Sequence, residues 1–186
     1  MIGAVCVTLL PALFLITLFT GGERFKRRHL DMDGDPPISR PLFYASKYAI
    51  VVLWGVMVAR RWGAGLSFVR VPVPIEWLAL SLWVAGFTVL FLGRFELGDS
   101  FRIGSPKEHT ALKDGGLFRV SRNPMYLGVF ATVLAPVCST LNPAVLIAAL
   151  FIIAVHHRIV LAEEEYLQRA FGTAYADYCR RVRRYV

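Results

Sequence analysis

NPMYLGVFATVLAPVCSTLNPAVLIAALFIIAVHH, running from Asn123 to His157, is a stretch of 35 residues without a single Asp, Glu, Lys or Arg. As one helix it is about 52 Å long at about 1.5 Å per residue, against a bilayer hydrocarbon core of about 30 Å. The stretch must therefore double back. Asn142-Pro143 is the natural corner, because proline disfavours a helical residue before it and opens a helix well. The sequence predicts a hairpin of two membrane helices over 124–141 and 143–160, the first kinked at Pro136.

Outward from the hairpin the same pattern repeats. Met1 to Gly22 carries no charge; it is too long and uniform for a signal-peptide core and lacks a basic leader or a cleavage site, so it reads as a first span. Pro41 to Ala59 is interrupted only by Lys47, near its start, where an ammonium can snorkel to the interface. A third span lies between Glu76 and Arg94. A chain of 186 residues is about one domain, and a hydrophobic fraction of 56% with a mean hydropathy of +0.53 is too apolar for a water-soluble one. The expected fold is an all-α integral membrane protein of about five transmembrane helices, closed by an amphipathic cytoplasmic helix. Residues 1–93 hold the first three spans, and 94–186 hold a core of loop, hairpin and C-terminal helix.

The basic residues orient these spans. Arg24, Lys26, Arg27, Arg28 and Arg40 precede the second span; Arg94, Arg102, Lys107, Lys113, Arg119 and Arg122 precede the fourth; Arg158, Arg169, Arg180, Arg181, Arg183 and Arg184 follow the last. With five spans these regions share one side and hold 17 of the 21 Lys and Arg. The other side has Arg60, Arg61 and Arg70. By the positive-inside rule the N-terminus is outside and the tail cytoplasmic. Topology and anionic headgroups account for the net charge of +8, which leaves no need for nucleic acid as a partner.

Other chemistries find little support. Cys6, Cys138 and Cys179 are far apart and read as small buried or interfacial residues. His156 and His157 are adjacent on a helix and point about 100° apart, so they do not readily share a metal ion. There is no internal repeat and no glycine motif of the phosphate- or dinucleotide-binding kind.

Two segments at the cytoplasmic face remain. One is Gly116-Leu117-Phe118-Arg119-Val120-Ser121-Arg122-Asn123-Pro124-Met125-Tyr126-Leu127-Gly128; the other is Glu163-Glu164-Glu165-Tyr166-Leu167, followed by Phe171-Gly172, Tyr175 and Tyr178. An interfacial Arg, an Asn N-cap, a first-turn Pro and a Tyr in the aromatic belt suit any helix entering a membrane. Carboxylates within about a turn of a span's end are costly unless paired or used. In an antiparallel hairpin the start of one helix meets the end of the other. Arg122–Tyr126 and Glu163–Glu165 should therefore lie side by side, with Arg158 and Arg169 partly neutralising the acids. Leu167, Phe171, Ala174, Tyr175 and Tyr178 form an apolar stripe at helical spacing, suited either to covering a pocket or to lying on the membrane, with Phe171-Gly172 as a bend.

The two segments together resemble the isoprenylcysteine carboxyl methyltransferase family and its phospholipid N-methyltransferase relatives. Gly116, Phe118, Arg122, Asn123, Pro124, Tyr126 and Gly128 fit a G-x-[YF]-x-x-x-R-[HN]-P-x-Y-x-G pattern. Glu163, Glu164, Leu167, Phe171, Gly172 and Tyr175 fit E-E-x-x-L-x-x-x-F-G-x-x-Y. Leu97-Gly98 with Phe101-Arg102-Ile103-Gly104 is similar to a stretch of bacterial members that has Trp where Phe101 stands. The resemblance covers about residues 90–186. Asn123 stands where eukaryotic members carry His; it keeps hydrogen bonding but cannot titrate near neutral pH.

The resemblance implies an S-adenosylmethionine-dependent methyltransferase in the bacterial inner membrane, with a lipophilic or prenylated acceptor arriving from the surrounding lipid. The expected acceptor is an isoprenylcysteine-type carboxylate, and a phospholipid amine is the alternative. The implied cofactor contacts are His109, Gly116, Leu117, Asn123, Pro124, Tyr126, Glu163 and Glu164. Glu163 or Glu164 would hold the cofactor's positive or hydroxyl groups, the amides around Gly116-Leu117 its carboxylate, and Tyr126 its adenine or ribose. His109 sits one residue from the place where relatives carry a cofactor-contacting His. The catalytic candidates are Arg122, for an anionic group of substrate or cofactor, and Glu164, as base if the acceptor is an amine or thiol; no metal is implied. An NADPH-dependent membrane reductase and a non-catalytic membrane protein are the readings from other classes. Against the latter, the first three spans hold almost no mid-membrane ionisable residue of the kind an ion path needs.

Overall fold

A computed structural model of the protein describes residues 2–27, 37–98 and 112–186, without the side chains of residues 2 and 22–27. His109 and the Asp99–Gly104 part of the family-like loop lie outside the described residues. The described residues form five α-helices and no strand: α1 Ile2–Arg27, α2 Arg40–Arg61, α3 Val73–Leu97, α4 Pro124–Thr140 and α5 Pro143–Arg181. Four of them are long and apolar enough to cross a membrane. The 17-residue α4 is about 25 Å long at about 1.5 Å per residue, just short of the hydrocarbon core. Leu9, Leu13, Ile16, Phe19, Val52, Trp77, Val84, Ile147 and Leu150 point outward, as expected of an integral membrane protein whose solvent is lipid.

The hairpin turns where expected. Leu141 takes the left-handed conformation at the end of α4 (φ 46), and Asn142 caps α5 by accepting the Ala144 N–H at 2.9 Å. The Asn142 amide also donates to Leu66 O at 3.2 Å, and Phe68 N–H donates to Thr140 O at 3.0 Å. These bonds tie the α2–α3 connection to the hairpin corner. At that same end Glu76 pairs with Arg60 at 3.0 Å and Arg61 at 3.2 Å, so two of the few basic residues of this side are neutralised.

Between the ends, α3 and α4 make the closest pair in the bundle. Gly86 and Gly128 face each other at their crossing, where small residues let two backbones approach. A Cβ built on Gly86 lies 2.7 Å from Thr132 Cγ2 and 2.9 Å from Gly128 O. Gly86→Val is expected to overpack this crossing and cost about 1–3 kcal/mol. The measure is a lower midpoint in thermal unfolding of the detergent-solubilised protein; Gly55→Ala, with nothing within 4 Å of the added Cβ, should leave it unchanged. Around the crossing, the Phe87 ring of α3 meets Trp83 of its own helix, Trp54 of α2 and Phe14 of α1, and Phe14 also meets Trp54. The Trp83 indole donates to Val7 O at 3.2 Å, which satisfies the buried N–H.

The C-terminal helix follows the last span across a kink. α5 runs on for 39 residues and is interrupted only at Gly172 (φ 52, ψ −120), the bend anticipated at Phe171-Gly172. Positive φ is open to glycine without a Cβ penalty. The break shifts the helical phase of the stripe: Tyr175 and Tyr178 are buried but Ala174 is exposed.

Candidate active site

The hairpin brings Arg122–Tyr126 and Glu163–Glu165 together, and the two neighbouring glutamates face different ways. Successive helical residues are about 100° apart. Glu163 turns inward and accepts a 2.8 Å hydrogen bond from the Tyr126 hydroxyl. Glu164 turns toward the loop before α4. Its Oε1 accepts from Arg122 Nε at 3.2 Å, Arg122 Nη2 at 3.1 Å and Asn123 Nδ2 at 3.0 Å, and its Oε2 accepts from Arg184 Nε at 2.9 Å. The partners of Glu164 are thus Arg122 and Arg184, not Arg158; Arg169 reaches only the exposed Glu165, at 3.9 Å.

Asn123 occupies the N-cap position of α4, but its side chain makes no capping bond. It spends its amide on Glu164 and on Arg184 O at 3.2 Å, so it acts as a hydrogen-bond donor. Pro124 at the first helical position has no N–H to satisfy, and the Tyr126 and Leu127 N–H groups donate to the Asn123 backbone carbonyl at 3.1 and 3.3 Å.

The last residues complete the knot. Arg122 N–H donates to Arg183 O at 3.0 Å, Ser121 Oγ to Arg184 O at 3.2 Å, and Arg122 Nη1 to Val182 O at 2.9 Å and Cys179 O at 3.3 Å. His157 Nδ1 meets the Tyr185 hydroxyl at 2.7 Å, and the Tyr178 hydroxyl donates to Phe118 O at 2.6 Å. The tail therefore straps the loop between Phe118 and Asn123 to the end of α5. Burial works against the charge of Arg122, but Glu164 beside it outweighs that effect, and Arg122 holds its proton more tightly than a free arginine.

Beneath the strap lies a cavity of about 400 Å³. One end is polar and aromatic: Lys113, Phe118, Arg122, Asn123, Tyr126, Glu163, Tyr175 and Tyr178. The other runs into the bundle between Phe14, Leu18, Ile50, Val51, Trp54 and Leu90, with Phe43, Lys47 and His156 between the two. Tyr175 Oη and Trp54 Nε1, one toward each end, are buried without a nitrogen or oxygen partner. Of the site residues read from sequence, Arg122, Asn123, Pro124, Tyr126 and Glu163 line this cavity. Glu164 stands behind it. Leu117 and Gly116 precede Phe118, and Leu117 N–H donates to the Glu96 carboxylate at 2.9 and 3.2 Å; that amide, expected to meet a cofactor carboxylate, is taken by a residue of α3 that sequence reasoning did not single out.

Also unanticipated are Lys47, His156, Arg184 and Tyr185. His156 had a signal, an imidazole inside an otherwise apolar membrane run. The contributions of the tail had none, because most are backbone carbonyls.

The family model for phospholipid methyltransferase matches residues 71–174, more than half of the chain and from the start of α3 to just past the Gly172 bend. No curated protein matches the chain closely enough to count.

Proposed function

The chain belongs to the phospholipid methyltransferase family, and from that premise we propose that it transfers a methyl group from S-adenosylmethionine to a lipophilic acceptor at the cytoplasmic face of a membrane. The supporting observation is a single cavity with a charged, aromatic end and a hydrocarbon end. A water-soluble cofactor suits the first and an acyl or prenyl chain the second.

The donor set fits the cofactor. Glu163 offers a carboxylate to its ammonium or ribose hydroxyls, and Arg122 a guanidinium to its carboxylate or to an anionic group of the acceptor. The rings of Phe118, Tyr126, Tyr175 and Tyr178 suit a flat base or a sulfonium. The Tyr175 hydroxyl, buried with only the Cys179 thiol as a partner, is a group that a ligand can satisfy more fully. When bound, S-adenosylmethionine supplies a methyl carbon already activated by its positive sulfur.

What the protein adds is alignment and dryness. Glu163 and Arg122 fix the polar groups, the apolar wall excludes water, and the strap holds the mouth in shape. Glu164 acts as a positioning residue: its oxygens are committed to Arg122, Asn123 and Arg184, and through them it sets where the guanidinium points. The positive-inside rule puts this end in the cytoplasm.

The test is transfer of labelled methyl from S-adenosylmethionine by the purified protein into native lipid extract and into prenylcysteine analogues. Label in the lipid phase is expected. Failure to label either, by protein that binds S-adenosylhomocysteine, contradicts an acceptor of this kind.

A further inference from the structure

His156 is a buried histidine on the wall of the cavity, at 6% exposure. Its Nδ1 lies 2.9 Å from Ile152 O. A carbonyl only accepts, so Nδ1 carries the ring proton and Nε2 carries the lone pair. The two ring nitrogens thus have separate tasks: one fixes the ring to its own helix, and the other is a base. The ring stands edge-on to Tyr126, with centroids 6.0 Å apart. Tyr126 in turn reaches Glu163 through its hydroxyl. Glu163 and His156 are seven residues apart on α5 and so share a face, separated along the axis by about 10 Å. Tyr126 lies between them.

We propose that His156 Nε2 takes the proton that an amine acceptor must lose before it can be methylated, which makes His156 a catalytic residue. This rests on the methyl-transfer reading of the same cavity. A carboxylate acceptor, with a pKa of about 3.5, is ionised at neutral pH and needs no such base. An ammonium has no lone pair and does. In the step, the ammonium N–H gives its proton to Nε2, and the freed lone pair forms the nitrogen–carbon bond. The methyl–sulfur bond breaks with its electron pair going to sulfur. The products are a methylated ammonium, a neutral thioether and an imidazolium that returns its proton to water.

The surroundings favour this. Lys47 from α2, with its ammonium 4.0 Å over the Phe43 ring, lines the same stretch of cavity. Its charge disfavours a cation on the amine and on the imidazole alike, so His156 passes the proton on to water rather than keeping it. The same charge suits the phosphate of an amine-bearing phospholipid. The other titratable groups facing this stretch are Tyr126 of α4 and Glu163 of α5, and Tyr126 donates to Glu163. Among the described residues, none that α1 and α3 contribute to the wall titrates.

Three measurements on the full chain decide it: methyl transfer into vesicles containing phosphatidylethanolamine, methyl transfer into a prenylcysteine carboxylate, and S-adenosylhomocysteine affinity, each for wild type and His156→Gln. General-base removal typically costs about 10²- to 10⁴-fold. A loss of amine methylation of that size is expected, with affinity for S-adenosylhomocysteine within about threefold of wild type and partial recovery toward pH 9. Amine transfer by His156→Gln within about threefold of wild type overturns the proposal, and so does wild-type transfer to the carboxylate alone. In case the variant does not fold, nitrogen NMR of the labelled wild type reads the tautomer directly. Protonated Nδ1 and bare Nε2 are expected, and protonated Nε2 overturns it. Wild-type protein that fails to bind S-adenosylhomocysteine defeats the underlying methyltransferase reading instead.

Discussion

Glu163→Gln is expected to weaken S-adenosylhomocysteine binding by about 10- to 100-fold while leaving the fold intact. Hydrogen bonds to charged groups are worth about 1.5–3 kcal/mol, and about 1.4 kcal/mol is a factor of ten. Glu163 is the carboxylate on the cavity wall, and glutamine removes its charge while preserving its length. The Tyr126 hydroxyl, now 2.8 Å from Oε1, can still donate to the amide oxygen. The thermal midpoint without ligand should therefore change little. Calorimetric titration of the detergent-solubilised variant is the check, and unchanged affinity removes Glu163 from the cofactor site.

Arg122→Ala should act mainly on stability. Its guanidinium makes two bonds to Glu164 and one each to Val182 O and Cys179 O, and both charged side chains are almost enclosed, 11% and 12% exposed. Removing one partner of a buried pair typically costs about 3–5 kcal/mol, because the other charge stays behind unpaired. Asn123 and Arg184 still reach Glu164, which places the expected loss toward the lower figure. The double variant Arg122→Ala/Glu164→Ala should be less damaging than the sum of the single ones, since neither member of the buried pair is left behind and Arg184, which loses Glu164, is part-exposed. Thermal unfolding of all four proteins measures this. A single variant as stable as wild type would show that the knot contributes nothing.

The contrast between these neighbouring acids marks how far the sequence was legible. The corner at Asn142-Pro143 and the meeting of Arg122–Tyr126 with Glu163–Glu165 followed from one uncharged run too long for a bilayer, and the first three spans from apolar runs of their own. That argument concerns whole helices, for which length and charge are decisive. The division of labour between Glu163 and Glu164 depends on which way each points, and the 100° between them becomes informative only once the cavity's side of α5 is known. His156, seven residues before Glu163, was then readable as a member of the same face.

The strap was beyond reach for a different reason. Arg183 and Arg184 read as topology-setting charges, whereas their carbonyls receive Ser121, Arg122 and Asn123. Backbone acceptors leave no trace in residue identity. The apolar end of the cavity was hidden too, because Phe14, Ile50 and Trp54 look like any lipid-facing or core residues until α1, α2 and α3 are packed. Asn123 shows the converse: it sits in the place of a cap, but a charged acceptor nearby wins its amide.

A methyl-donor site at the meeting of α4 and α5 is tested most directly by ligand-dependent thermal stabilisation of the purified wild-type protein. S-adenosylhomocysteine at about 100 times its dissociation constant should stabilise the fold by about 2.7 kcal/mol, seen as a clear rise in the unfolding midpoint, and NADPH should not. Stabilisation by NADPH with no response to S-adenosylhomocysteine would contradict it.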